Sequence, residues 1–223
     1  MICHEHKCIF IHIPKTAGES IEIALSGKTF NQPGKEYDGH PEKHWSAKKI
    51  KQVYPKEFAN YFKFSIVRNP WDRFLSWVYY LNRKYDRNTS TFREYMYQDL
   101  KNDYIIYRSN TYNMLFIGGE LAVDLVLRFE NLANDFLKLE KILEGSSLTL
   151  PHSNISKRDL HYSEEYDYYC YEFIAQSQKF EINYFNYEYG GEFKNLSFFQ
   201  KYLIRLRVTF ELKLLKRLKK LIW

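Results

Sequence analysis

CIFIHIPKTAGESIEI, residues 8–23, opens as an apolar run and closes as the first turns of a helix. Cys8-Ile9-Phe10-Ile11-His12-Ile13 is rich in β-branched and aromatic residues, which suits a buried strand, and Pro14 stops it. Lys15, Thr16, Ala17, Gly18, Glu19 and Ser20 then carry the chain into a helix expected over roughly Gly18 to Ser26. The first N–H groups of a helix have no partner inside it, and the helix dipole favours negative charge there. One cation, two hydroxyls and a glycine at that point therefore read as an anion-holding turn. The alternative is a strand-helix turn that polar residues merely decorate. The nucleotide-kinase loop G-x-x-x-x-G-K-[ST] does not fit, since its first glycine is missing ahead of Gly18 and the lysine, Lys15, precedes Gly18 instead of following it.

A second stretch repeats the logic. Tyr61 to Val67 reads as another central strand, Arg68-Asn69-Pro70 ends it, and Trp71, Phe74, Leu75, Val78 and Leu81 recur at helical spacing, with Pro70 in the favoured first turn. In an open parallel sheet ligands lie at the carboxyl ends of strands, so Lys15 and Arg68 face one crevice if their strands are neighbours. Ser76, about two helical turns beyond Arg68, adds a hydroxyl. Taken singly, Arg68 reads equally as a strand-end salt bridge and Ser76 as a small packing residue.

The rest of the chain alternates in the same way. Gly27 to His44 is turn-rich loop, Ser46 caps a short helix to Val53 that Pro55 ends, and helices are expected over Ser90 to Lys101 and Asn110 to Phe116. Val123 to Phe129 is the third strand, followed by a helix from Glu130 or Asn131 to about Leu143 and a tyrosine-rich helical stretch from Ser163 to Phe185. Strands alternating with helices predict an α/β fold, a three-layer arrangement with a central parallel β-sheet flanked by helices.

Composition bounds what such a fold does. The 223 residues, 45% hydrophobic and 18% aromatic, suffice for one domain with a sizeable core, and no repeat or low-complexity tract appears. The net charge of +6 is unevenly spread: residues 197–223 carry eight Lys or Arg against Glu211, leaving residues 1–196 close to neutral. A nucleic-acid-binding body is thus not implied. The tail pairs those cations with Phe198, Phe199, Leu203, Leu206, Phe210, Leu214, Leu218 and Leu221, the pattern of a basic amphipathic helix that packs on the 1–196 domain or lies on an anionic membrane surface. Three cysteines without a C-x-x-C fit a reducing compartment. Cys3, His4, His6 and Cys8 cluster as metal ligands would, but their place at the terminus favours frayed residues over a zinc site. No apolar run approaches the roughly 18 to 20 residues of a membrane span, so the chain is expected to be cytoplasmic, at most peripheral at the inner face of a membrane.

His12 to Ser20 (HIPKTAGES) and Phe62 to Ser76 (FKFSIVRNPWDRFLS) together resemble the sulfotransferases that use 3′-phosphoadenosine 5′-phosphosulfate (PAPS), in particular the branch of bacterial and Golgi carbohydrate sulfotransferases. Arg128-Phe129-Glu130-Asn131-Leu132, and Leu150 to Asn154 with Lys157 and Arg158, are weaker echoes. The resemblance implies a P-loop-like fold in which Lys15, Thr16, Gly18 and Ser20, with Ala17 and the Glu19 backbone, hold the 5′-phosphosulfate. It implies that Arg68 and Ser76 hold the 3′-phosphate, and that Lys157 and Arg158 belong to a loop closing over the nucleotide. The chain departs from the family at Glu19, where Thr is common, and that side chain is expected to face away from the anion. Sulfuryl transfer needs charge stabilised on the leaving oxygen and a proton removed from the acceptor. Lys15 is the natural electrophile, and His44, just ahead of a helix start, the expected base, with His40 the fallback. His12, on the strand, reads as a satisfied core histidine. The scheme requires no metal and yields 3′-phosphoadenosine 5′-phosphate (PAP). A carbohydrate or glycolipid acceptor is expected, and no nucleic acid. The alternatives are a P-loop nucleotide or adenylylsulfate kinase, a non-catalytic nucleotide- or glycan-binding module, and, for location, a Golgi-type enzyme without its anchor.

Overall fold

A computed structural model of the chain describes residues 1–26, 44–85, 110–143, 148–151 and 161–222, the last with side chains to 217. They fall in two compact units, Met1–Arg68 with Arg108–Ile155, and Asn69–Tyr107 with Ser156–Trp223. The strands, all in the first unit, are β1 (Ile2–Cys3), β2 (Cys8–Ile11), β3 (Phe62–Val67), β4 (Phe116–Ile117), β5 (Glu120–Leu121) and β6 (Leu125–Arg128). The helices in chain order are α1 (Gly18–Ser26), α2 (Ala47–Val53), α3 (Pro55–Asn60), α4 (Pro70–Tyr85), α5 (Thr111–Leu115), α6 (Leu132–Ile142), α7 (Tyr168–Ser177), α8 (Lys179–Tyr184) and α9 (Phe198–Ile222).

The first unit is built on a four-stranded sheet in the order β1-β2-β3-β6. β2, β3 and β6 run parallel, with Phe10 opposite Phe64 and Phe64 opposite Leu125. Side chains alternate across a strand, so Cys8, Phe10, Phe64, Ile66 and Leu127 share one face, where Ile21 and Leu25 of α1 and Phe136 and Leu139 of α6 cover them. Ile9, Ile11 and Val67 on the other face are fully buried too. Burial on both faces is the reason these strands read as continuous apolar runs. The chain has the expected α/β class, a parallel-stranded sheet flanked by helices.

Three local expectations change. The terminus is not frayed: Ile2 and Cys3 pair antiparallel with Ile9 and Cys8, Phe10 donates its N–H to the Met1 carbonyl at 2.9 Å, and Met1 is buried. A two-residue strand gives too short a period to be read, and pairing with β2 is what forms it. Among the described residues no group of His, Cys, Asp or Glu is placed to hold a metal. The thiols of Cys3 and Cys8 share a hydrogen bond that pulls Cys3 down to about 6 and pushes Cys8 up. Pro55 does not simply stop a helix; it opens α3 from its first position, where a missing N–H costs nothing. The stretch 163–185 is not one helix: Asp167 accepts from the Cys170 N–H and so starts α7 afresh after a single 3-10 turn, and Gln178 separates α7 from α8. The helix expected over 90–101 lies outside the described residues.

In the second unit Asn69 caps α4, its Oδ1 accepting from the N–H groups of Trp71 at 3.1 Å and Asp72 at 3.4 Å. Its amide donates to the Glu188 carbonyl at 2.8 Å and the Tyr162 hydroxyl at 3.1 Å. One turn into α4, Arg73 meets Glu181 of α8 at 3.4 Å, both side chains buried. Removing one partner of a buried ion pair strands the other charge in a low dielectric. Arg73→Met is therefore expected to destabilise this unit by about 3 kcal/mol, read by urea unfolding; a change under about 0.5 kcal/mol, the range of ordinary surface substitutions, would show that the pair does not hold α4 to α8. No helix among the described residues is long and apolar enough to cross a membrane.

Candidate active site

The turn after β2 is unusual in its backbone. Lys15 and Ala17 adopt φ of 68° and 62°, a region non-glycine residues seldom enter. Alternating handedness along successive residues aims their N–H groups into a shared concavity, the geometry of an anion-binding nest, and α1 begins immediately after it. Thr16 is fully buried and its hydroxyl donates to the Ile13 carbonyl at 2.8 Å, which closes the turn from within. Ser20 is buried in the first turn of α1, while Glu19 and Lys15 are half-buried.

Arg68, at the carboxyl end of β3, donates from Nη1 to the Lys15 carbonyl at 3.0 Å. Its guanidinium carbon lies 3.9 Å from the centre of the Phe129 ring, at the end of β6. One buried cation thus ties together the ends of the three parallel strands. Beyond Phe129, Asp135 accepts from the Arg128 N–H at 2.9 Å, from Asn131 at 3.1 Å and from Lys138 at 2.8 Å. Burial would raise this carboxyl, but those donors hold it below the usual carboxylate range.

His44 joins the same unit from the other side of the turn. Its Nδ1 lies 3.1 Å from the His12 carbonyl oxygen, and the two imidazole rings are 4.5 Å apart. A carbonyl only accepts, so His44 carries its proton on Nδ1, and Nε2 is its basic nitrogen. His12 is buried, as a core histidine should be, and donates from Nδ1 to Glu22 at 2.8 Å. Glu22 was not singled out from the sequence, although a signal existed. Gly18, Ile21, Glu22 and Leu25 form the i, i+3, i+4, i+7 face of α1, and a carboxylate on an inward face needs a partner.

The pair also explains the glycine. A Cβ at Gly18 would stand 1.9 Å from His12 Nε2. Gly18 serves the close packing of α1 on an imidazole, and not a positive φ, which falls on Lys15 and Ala17 instead. With Nδ1 held by Glu22 and Phe10 stacked 5.4 Å from the ring, His12 has little room to yield. Gly18→Ala is expected to lower stability by about 1–3 kcal/mol, the usual cost of overpacking. Thermal unfolding checks this, and an unchanged midpoint would mean that the ring moves freely.

Of the residues expected at the site, Lys15, Thr16, Ala17, Gly18, Glu19, Ser20, His44 and Arg68 all belong to the first unit. Ser76 belongs to the second, where it is buried in α4. Lys157, Arg158 and His40 lie outside the described residues.

A parallel α/β sheet with a cation-bearing, helix-capped turn at one strand end and an arginine at the next is the arrangement of a phosphate- or sulfate-handling protein. The sequence profile of the sulfotransferase family matches residues 1–188, and the chain belongs to that family. It is accordingly a transferase, and membership of that family favours sulfuryl transfer over the nucleotide-kinase alternative. Comparison with curated proteins gave no significant match, nor did comparison with solved structures.

Proposed function

We propose that the protein transfers the sulfuryl group of PAPS to a hydroxyl of a carbohydrate acceptor, a polysaccharide, oligosaccharide or glycolipid. The observation that carries this reading is His44, held by its Nδ1 proton on the His12 carbonyl three residues before Lys15. That bond fixes the tautomer a base needs beside the turn that receives an anion.

The residues present fit a nucleotide charged at both ends. The N–H groups of the turn and of the start of α1, with Lys15 and Ser20, suit the 5′-phosphosulfate. Thr16, whose hydroxyl closes the turn, contributes its backbone N–H. Arg68, fixed by the Lys15 carbonyl, suits the 3′-phosphate. When bound, PAPS supplies an SO₃ unit on a phosphate leaving group. Lys15 places fixed positive charge where the leaving oxygen becomes negative, and preorganised charge of this kind acts without reorganisation at the moment of reaction. His44 Nε2 takes the acceptor proton as the new S–O bond forms. Both steps run on protein groups, and no metal enters the scheme.

A carbohydrate acceptor is further supported by the second unit, where Tyr168, Tyr171, Tyr189 and Phe193, with Lys194 and Lys201, line an open cavity of about 500 Å³. Tyr189 and Phe193 stack at 5.4 Å, and Tyr171 stacks on Trp71 at 5.6 Å. Rings of this kind present flat apolar faces with polar tips, which suits pyranose faces. Incubation with labelled PAPS and a panel of glycans, alongside phenolic and peptide acceptors, tests the reading. Label is expected on glycan hydroxyls; label confined to phenols or tyrosyl peptides would overturn the acceptor class.

A further inference from the structure

We propose that the outer face of α9 docks the protein on an anionic lipid bilayer. The helix begins ten residues beyond the end of the family match at residue 188, so the shared chemistry does not account for it. Its inner face packs on α7. Val208 is 0% exposed and Leu212 is 7% exposed. Arg205 meets Glu172 at 3.1 Å, Thr209 donates to Gln176 at 2.9 Å, and Tyr169 donates to Glu211. The face that holds α9 to its unit thus joins buried apolar side chains to polar, largely charge-matched contacts.

The outer face is the reverse. Phe199, Leu203, Leu206, Phe210 and Leu214 repeat at steps of three or four residues and so form one stripe. Phe199 is 66% exposed and Phe210 68%, with Phe198 at 87% and Tyr202 at 50% beside them. Alongside the stripe stand Lys213, Lys216 and Arg217, all exposed, none with an ion-pair partner among the described residues. Large apolar side chains in water beside unmatched cations are complementary to a surface that is apolar within and negative at its rim. A lipid leaflet with anionic headgroups has that order. A second copy of this chain does not, because it would set one strongly basic helix against another. At about 1.5 Å per residue the helix is long enough to lie along a leaflet, and it is too polar to cross one.

The test uses the intact protein and vesicles of phosphatidylcholine alone or mixed with phosphatidylglycerol. Flotation with the anionic vesicles is expected, with release at high salt, and none with the neutral ones. Each cation near such a surface is worth about fivefold in partitioning, so Lys213→Gln, Lys216→Gln and Arg217→Gln together should weaken binding about a hundredfold. Phe199→Ser with Phe210→Ser should abolish it. These positions are exposed, so thermal unfolding should be unchanged, which separates lost docking from lost folding. Turnover on a soluble acceptor should be unchanged as well, so failure of docking and failure of the sulfuryl-transfer reading give different results. Equal flotation with neutral vesicles, no flotation at all, or binding that survives both sets of substitutions overturns the proposal. So does self-association in the absence of lipid that Phe199→Ser with Phe210→Ser removes, since the stripe would then belong to a second copy.

Discussion

His44→Ala should reduce sulfuryl transfer by about 10²–10⁴-fold, the usual contribution of a positioned acid or base, while PAP affinity stays within about twofold because no nucleotide-holding group is removed. The split follows from the geometry. His44 touches the turn through the His12 carbonyl, and its ring packs on His12, so it borders the turn after β2 without contributing a backbone N–H to it. His44→Asn separates a base from a positioning role, since its amide retains a donor for that carbonyl and has no basic nitrogen. It should be as inactive as the alanine variant. Near-normal turnover in either, measured at saturating PAPS, contradicts the assignment of the base.

Lys15→Ala should act on both binding and chemistry. A charged hydrogen bond to an anion is worth about 1.5–3 kcal/mol, or roughly ten- to a hundredfold in affinity. Loss of a group aimed at the developing charge costs about a further 10²–10³ in turnover. Calorimetry with PAP reads the first effect and steady-state assays the second. Arg68→Ala should weaken PAP at least as much. It removes the clamp on the Lys15 carbonyl as well as the proposed contact to the 3′-phosphate, and it leaves the Phe129 face bare. Unchanged PAP affinity in both variants would remove the nucleotide from the account.

How much of this was legible in the sequence depends on the range of the interactions involved. β2, the turn and α1 were readable from one short stretch, because strand, breaker and helix start are local signals. β3 and Arg68-Asn69-Pro70 were readable for the same reason. That β2 and β3 are neighbours, with Cys8 opposite Phe62, was a conditional expectation, and only the sheet decides it. What the residues of the turn do was less accessible. Gly18 suggested close approach of an anion, yet its packing partner is His12, six residues earlier. The strained backbone lies at Lys15 and Ala17, which no propensity marks. Thr16 was readable as a hydroxyl at the turn, but not that this hydroxyl donates to the Ile13 carbonyl and closes the turn from within. Glu22 was passed over because a single carboxylate in a nine-residue helix reads as a surface residue until its inward position is noticed.

Longer-range features were hidden for a simpler reason. β1 exists because β2 offers it an edge. Asn69 holds α4 through Trp71 and Asp72 nearby, which the sequence allows, and through Glu188, 119 residues away, which it does not. The basic amphipathic character of residues 197–223 was plain from spacing. Which face turns inward was not, because apolar residues occur on both. Arg205 and Thr209 settle it by meeting Glu172 and Gln176 on α7.

The donor is the centre of the account, and one experiment addresses it directly. The protein is given PAPS labelled in its sulfuryl group together with ATP labelled in its terminal phosphate, in the presence of a glycan acceptor. The account predicts sulfuryl label on the acceptor, dependent on Lys15 and His44, and no phosphate label. Phosphate label on the acceptor, with the sulfuryl group left on PAPS, would contradict it.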